Sequence, residues 1–128
     1  MRARFIGPAA AAVMIEEMLR REAAGGAVAV LWLDQSLRVL DAFVVKASHD
    51  EVEEVAAAVL DAPVSPVAAV VIGSWLPEGQ AGPDDDDRRR FRQLELRHAE
   101  VGVELLEWFV LDGRLRLVSV NDVGREGR

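Results

Sequence analysis

The chain contains no cysteine, which excludes a disulfide framework, a thiol nucleophile and a cysteine-bound zinc. It has only two histidines, His49 and His98, so any imidazole chemistry is confined to those positions. No apolar run reaches the ~18 residues a membrane helix needs. Positive charge is scarce: 15 Lys and Arg stand against 22 Asp and Glu, a net charge of −7. A general phosphate-backbone binder needs a basic face, so no nucleic-acid partner is expected. Phosphate-loop motifs are absent too. Gly25-Gly26 precedes a strand, but no G-x-G-x-x-G and no Walker lysine follow. No internal repeat, linker or second domain is read.

What is present describes one folded unit. The 128 residues are 51% hydrophobic and 29% charged, which suits a single domain and not a disordered chain. Arg2 and Arg4 ahead of Phe5–Ile15 superficially copy a signal peptide. Pro8 instead suits a first helical turn, and Glu16-Glu17 interrupt the apolar run. Met14/Met18 and Ile15/Leu19 share a helix face. The expectation is a helix over 8–22 and a cytoplasmic protein with no membrane contact.

After a break at Ala24-Gly25-Gly26, residues 27–33 read as a buried strand and 37–46 as its hairpin partner, joined by the turn Asp34-Gln35-Ser36. Ser48 with Glu51 is a capping box opening a helix that Asp61-Ala62-Pro63 ends. Val67–Ile72 is the candidate central strand, and 73–83 a long loop of the kind that carries sites. Asp84 to Asp87 cap a third helix and complement its dipole, with Arg88-Arg89-Arg90 able to pair with them. Residues 103–111 form a strand. Asp112-Gly113 is a two-residue hairpin signal, and 114–120 form the last strand before a polar tail over 121–128. The order αββαβαββ predicts a mixed α/β fold: a mixed sheet flanked by helices.

Isolated chemistry is sparse. Ser48-His49-Asp50 holds triad residue types, but neighbours in sequence cannot converge as a triad must. Four consecutive aspartates do not make an oxygen-ligand loop for a hard cation. His98 sits on the apolar stripe of its helix, where a lone histidine is usually packed.

Taken together, the residues resemble the RadC-like, bacterial-type branch of the JAB/MPN (JAMM) metalloprotease superfamily over about Val28 to Val120. Val101–Glu107 looks like the family's "LGIELLD". Val110–Arg114 looks like "VGDGRYVS", Leu33–Leu40 like "LDTRNRVL", and Val67–Ile72 like the strand before "HNHPSG". The resemblance implies a zinc site: a base glutamate, an H-x-H pair, an aspartate and an oxyanion serine. Those slots fall here on Phe43 or Ala42 for the glutamate, Ser74 and Leu76 for the histidines, Asp84 for the serine and Asp87 for the aspartate. Only Asp87 matches.

The resemblance therefore implies a degenerate, non-catalytic JAB domain, a pseudoenzyme with no cofactor. It would act as an interaction or assembly module with a protein partner or a second copy. One alternative is a zinc metallopeptidase or isopeptidase rebuilt from Asp41, His49, Asp87 and His98. Another is a DNA-repair accessory protein using a stripe of Arg88, Arg89, Arg90 and Arg92. In the degenerate case Phe43 and at least one of Trp75 and Leu76 are expected to plug the former pocket. Asp87 is then expected at its edge, facing solvent or capping its helix.

Overall fold

The computed structural model describes residues 7–22, 26–60 and 67–121. The signal-like start at 2–6, part of the break at 24–26, the helix stop at 61–63 and most of the tail fall outside them.

The elements run α1 (Pro8–Arg20), β1 (Ala27–Leu33), β2 (Val39–Lys46), a short 3₁₀ turn (His49–Glu51), α2 (Val52–Leu60), β3 (Ala69–Trp75), α3 (Asp85–Glu100), β4 (Glu104–Leu111) and β5 (Leu117–Ser119). The mixed α/β class expected from the sequence is the class observed. Five strands form one sheet in the order β2-β1-β3-β4-β5. β1 is antiparallel to β2 and β3, β3 and β4 are parallel, and β5 returns antiparallel to β4. The parallel pair needs a crossover, and α3 supplies it.

Two layers cover the sheet. Every residue of β1 and β3 is buried, because alternate side chains enter opposite layers. Val28, Val30, Trp32, Val70 and Ile72 pack with Val52 and Val55 of α2 and Phe91 and Leu94 of α3. On the other face Ala29, Leu31, Leu33 and Val71 pack against Ala11, Ile15 and Leu19 of α1. Gly73 permits that seating. A Cβ there would lie 2.2 Å from Ile15 Cγ2.

Three expectations change. The central strand runs to Trp75, so Gly73, Ser74 and Trp75 are not loop. Pairing carries it past the β-branched run: Ser74 faces Val28 of β1 and Val110 of β4, and Trp75 faces Leu111. The Asp112-Gly113 hairpin is not a two-residue turn. Asp112 N–H donates to Arg116 O and Leu115 N–H to Asp112 O, closing a loop over residues 113–115. β5 accordingly starts at Leu117.

The third change is a short repeat. Leu33-Asp34-Gln35-Ser36-Leu37-Arg38 and Leu111-Asp112-Gly113-Arg114-Leu115-Arg116 fold into the same turn. Asp34 Oδ1 accepts from Ser36 and Arg38 N–H, at 2.8 and 2.9 Å. Asp112 Oδ1 accepts from Arg114 and Arg116 N–H, both at 2.9 Å. Leu37 and Leu115 both stand at φ 62°, the left-handed region that usually takes glycine in such loops.

Candidate functional site

Ser74 shares the parity of Val70 and Ile72, so its hydroxyl enters the layer under α2 and α3. Trp108 of β4 meets it there, with Nε1–H donating to Ser74 Oγ at 3.0 Å. The turn after β2 brings His49 to the same point. Ser48 N–H donates to Glu51 Oε1 at 2.9 Å and holds that turn in place. His49 Nδ1 lies 2.9 Å from Ser74 Oγ, and Nε2 lies 2.7 Å from Asp87 Oδ1.

Asp87 comes from the first turn of α3. Asp84 caps this helix: its Oδ1 accepts from Asp87 N–H at 2.8 Å, and Asp84 N–H donates back to Asp87 Oδ2 at 3.1 Å. Gln80 Nε2 donates to Asp87 Oδ2 at 2.9 Å. Arg90, one turn on, reaches Asp87 Oδ1 at 3.3 Å, His49 O at 2.8 Å and Glu53 Oε1 at 2.6 Å. Its guanidinium carbon lies 5.1 Å from the centre of the Trp108 ring.

The proton positions follow from the chemistry of the donors. An indole N–H can only donate, so Ser74 Oγ accepts from Trp108. An ionised carboxylate can only accept, so His49 Nε2–H donates to Asp87, and His49 Nδ1 shares the remaining hydrogen bond with the Ser74 hydroxyl. Each side-chain polar atom of the Trp108–Ser74–His49–Asp87 series has a partner. Burial by itself would raise the Asp87 pKa. Hydrogen bonds from His49, the Asp84 backbone and Gln80 outweigh it and hold the carboxyl at about 2. The Arg90 pKa is raised, chiefly by its hydrogen bond to Glu53.

A serine, a histidine and an aspartate in hydrogen-bonded series resemble an acyl-transfer relay. Access is what this series lacks. Ser74 is 0% exposed, His49 4% and Asp87 3%, and the serine oxygen already accepts the Trp108 N–H. The residues do not fit a zinc ion either. Both His49 nitrogens are engaged, and a guanidinium sits beside the one carboxylate. Among the described residues no group of three His or acidic side chains is placed to hold a metal.

The other anticipated positions lie elsewhere. Trp75 points to the opposite face, among the α1 contacts, with Nε1–H donating to Leu19 O at 3.1 Å. It does not plug a pocket beside Ser74, because a one-residue step along a strand reverses the face. Leu76 is buried in the α2/α3 layer. Phe43 is half-buried on β2, edge-on to Trp32 with centroids 4.8 Å apart. His49 and Trp108 fill the space between Ser74 and Asp87. Asp87 caps its helix, but it is buried instead of facing solvent.

Asp41 is exposed on β2, where its carboxylate accepts the neighbouring Ala42 N–H. His98 is buried on α3 with Nδ1 2.8 Å from Leu94 O, and burial lowers its pKa. Asp41 and His98 therefore do not join His49 and Asp87. The arginine stripe is largely neutralised: Arg88 pairs with Asp85, Arg89 with Asp86 and Arg90 with Glu53, which leaves Arg92 without an ion pair among the described residues.

No family model and no curated protein matches this chain.

A cleft of about 840 Å³ lies between the end of β3 with the segment that follows it, residues 75–81, and the β4–β5 turn. Trp75, Leu76, Glu78, Gln80, Arg114 and Leu115 are among its walls. It lies beyond the carboxyl ends of the two parallel strands, where open α/β sheets commonly take ligands. Gln80 belongs to both places, lining the cleft and bonding Asp87. Among the described residues no helix is long and apolar enough to cross a membrane.

Proposed function

We propose that the chain is a non-catalytic, JAB-like domain that serves as an interaction or assembly module for a protein partner or a second copy of itself. One observation carries this: the polar residues that converge at the head of the central strands are closed on one another. Ser74, His49 and Asp87 satisfy each other beneath Trp108 and Arg90, with no access for a substrate. Where the resemblance implies a metal, the domain keeps a hydrogen-bonded plug. The slots that fall on Phe43 and Leu76 offer no ligand atom. In this reading the domain is cytoplasmic and takes no cofactor. Paired arginines and a charge of −7 weigh against a nucleic-acid role.

The test is metal analysis of the purified, untagged chain together with peptide-hydrolysis assays with and without added zinc. The expected result is no stoichiometric zinc and no cleavage above background. Zinc at one per chain, with hydrolysis abolished by His49→Ala, would overturn the proposal and restore the metallopeptidase alternative.

A further inference from the structure

The two repeated turns separate the residues a turn needs from those it does not. Asp34/Asp112 and Leu37/Leu115 hold equivalent positions and make the same bonds. What differs is the surroundings. Leu37 is half-buried against the α1-side core. Leu115, in the same strained conformation, is 45% exposed and forms a wall of the cleft. Ser36 in one turn is matched by Arg114 in the other. The turn tolerates serine there, so its geometry does not call for an arginine.

The charges of the cleft can be sorted. Asp112 accepts from Arg116 Nε at 3.0 Å, so those two charges compensate each other. Arg114 and Glu78, which both line the cleft, have no ion-pair partner among the described residues. Leu76 and Leu115 add apolar lining to the same cleft. A polyanion would meet Glu78 and a protein of net charge −7. A peptide can present an acidic side chain to Arg114, a bulky apolar one to Leu115, and N–H or basic groups to Glu78 along one backbone.

We infer that this cleft is a docking site for an extended segment of a partner protein in which an acidic residue adjoins a bulky apolar one. Arg114 is the charge anchor and Leu115 the apolar wall. The inference rests on the interaction-module reading and gives it a location and a ligand chemistry. Gln80 ties the cleft to the buried series, so the plug fixes the wall against which the segment lies.

Short random peptides displayed on phage, selected against the immobilised full chain, test this. Selected sequences are then synthesised and their affinity measured for the wild type, Arg114→Glu, Leu115→Asn and Ser36→Glu. Asparagine tolerates the left-handed conformation, so Leu115→Asn removes the wall without adding strain. Ser36→Glu places a glutamate at the matching position of the other turn, at the far end of the sheet. The expected result is enrichment of acidic–apolar pairs, with affinity falling about tenfold or more in Arg114→Glu, falling in Leu115→Asn and unchanged in Ser36→Glu. No enrichment, or peptides indifferent to Arg114→Glu, or equal loss in Ser36→Glu, would overturn the site. Cleavage of a bound peptide would overturn the non-catalytic reading and leave the cleft standing. An empty selection would remove the cleft and leave the sealed series untouched.

Discussion

Asp87→Asn probes the sealed series through the pH dependence of stability. Asp87 is 3% exposed, and its pKa drops from 3.8 to about 2 on folding. A carboxyl with a depressed native pKa contributes stability above its unfolded pKa, and that contribution disappears as pH falls through the native one. The contribution is therefore complete near neutrality and fades from about pH 4 to about pH 2. Its size is roughly 2 kcal/mol, from the shift at ~1.4 kcal/mol per unit. Other depressed carboxyls, Glu53 and Asp112, contribute to the wild-type slope with the same sign, so the difference between two proteins is the useful quantity. Urea melts at a series of pH values, analysed by linear extrapolation, measure it. Asp87→Asn should be about 3 kcal/mol less stable at pH 7, because Arg90 and His49 lose a buried partner. That deficit should shrink by roughly 2 kcal/mol on acidification, as the wild type loses what the variant never had. Two pH profiles running parallel down to pH 2 would refute the assignment of a buried, charged Asp87.

Three further substitutions test neighbouring features. Ser74→Ala strands the Trp108 indole N–H and should cost about 1–3 kcal/mol in a chemical melt, with a smaller added cost when Trp108→Phe is also present. Asp84→Ala removes the cap of α3 and should lower stability by about 1 kcal/mol, and an unchanged melt would show that the cap contributes nothing. Leu115→Gly relieves a left-handed leucine and should raise stability by about 1 kcal/mol while weakening peptide capture. Destabilisation there would mean that the exposed leucine supports the fold and not a ligand.

The elements were legible because the signals behind them are local. Apolar runs marked β1 and the first part of β3, Asp84 marked the start of α3, and Ser48 with Glu51 marked the turn that presents His49. The end of β3 was not legible. Gly73-Ser74-Trp75 looks like loop composition, and only pairing with Val28 and Val110 makes it strand. Ser74 and Asp87 were anticipated as former ligand slots and His49 with Asp87 as parts of a rebuilt site, but their union in one closed series was not legible, for a related reason. Ser74 and Asp87 are 25 and 38 residues from His49 along the chain, so no spacing rule joins them. The available clue was chemical: a histidine next to a helix start, in a chain with only one other. The duplicated turn left a visible signal in Leu-Asp-x-x-Leu-Arg, but six residues are shorter than any repeat that builds an architecture.

Gly73 carries a consequence for how the molecule is made. Helix α1 seats on β3 at this glycine, with Ile15 in contact and Leu19 O receiving the Trp75 indole. Residues emerge from a ribosome N-terminus first, so α1 and β1 are synthesised well before the β3 part of the helix's seat exists. β3 in turn lies between β1 and β4, and β4 ends only at Leu111. Until that strand is synthesised, β3 keeps one unpaired edge, and a nascent chain carries it as an adhesive strip. Enlarging residue 73 would prolong this vulnerable interval even in chains that eventually fold. Its signature would be a greater dependence on chaperones during synthesis than the equilibrium stability of the finished protein suggests.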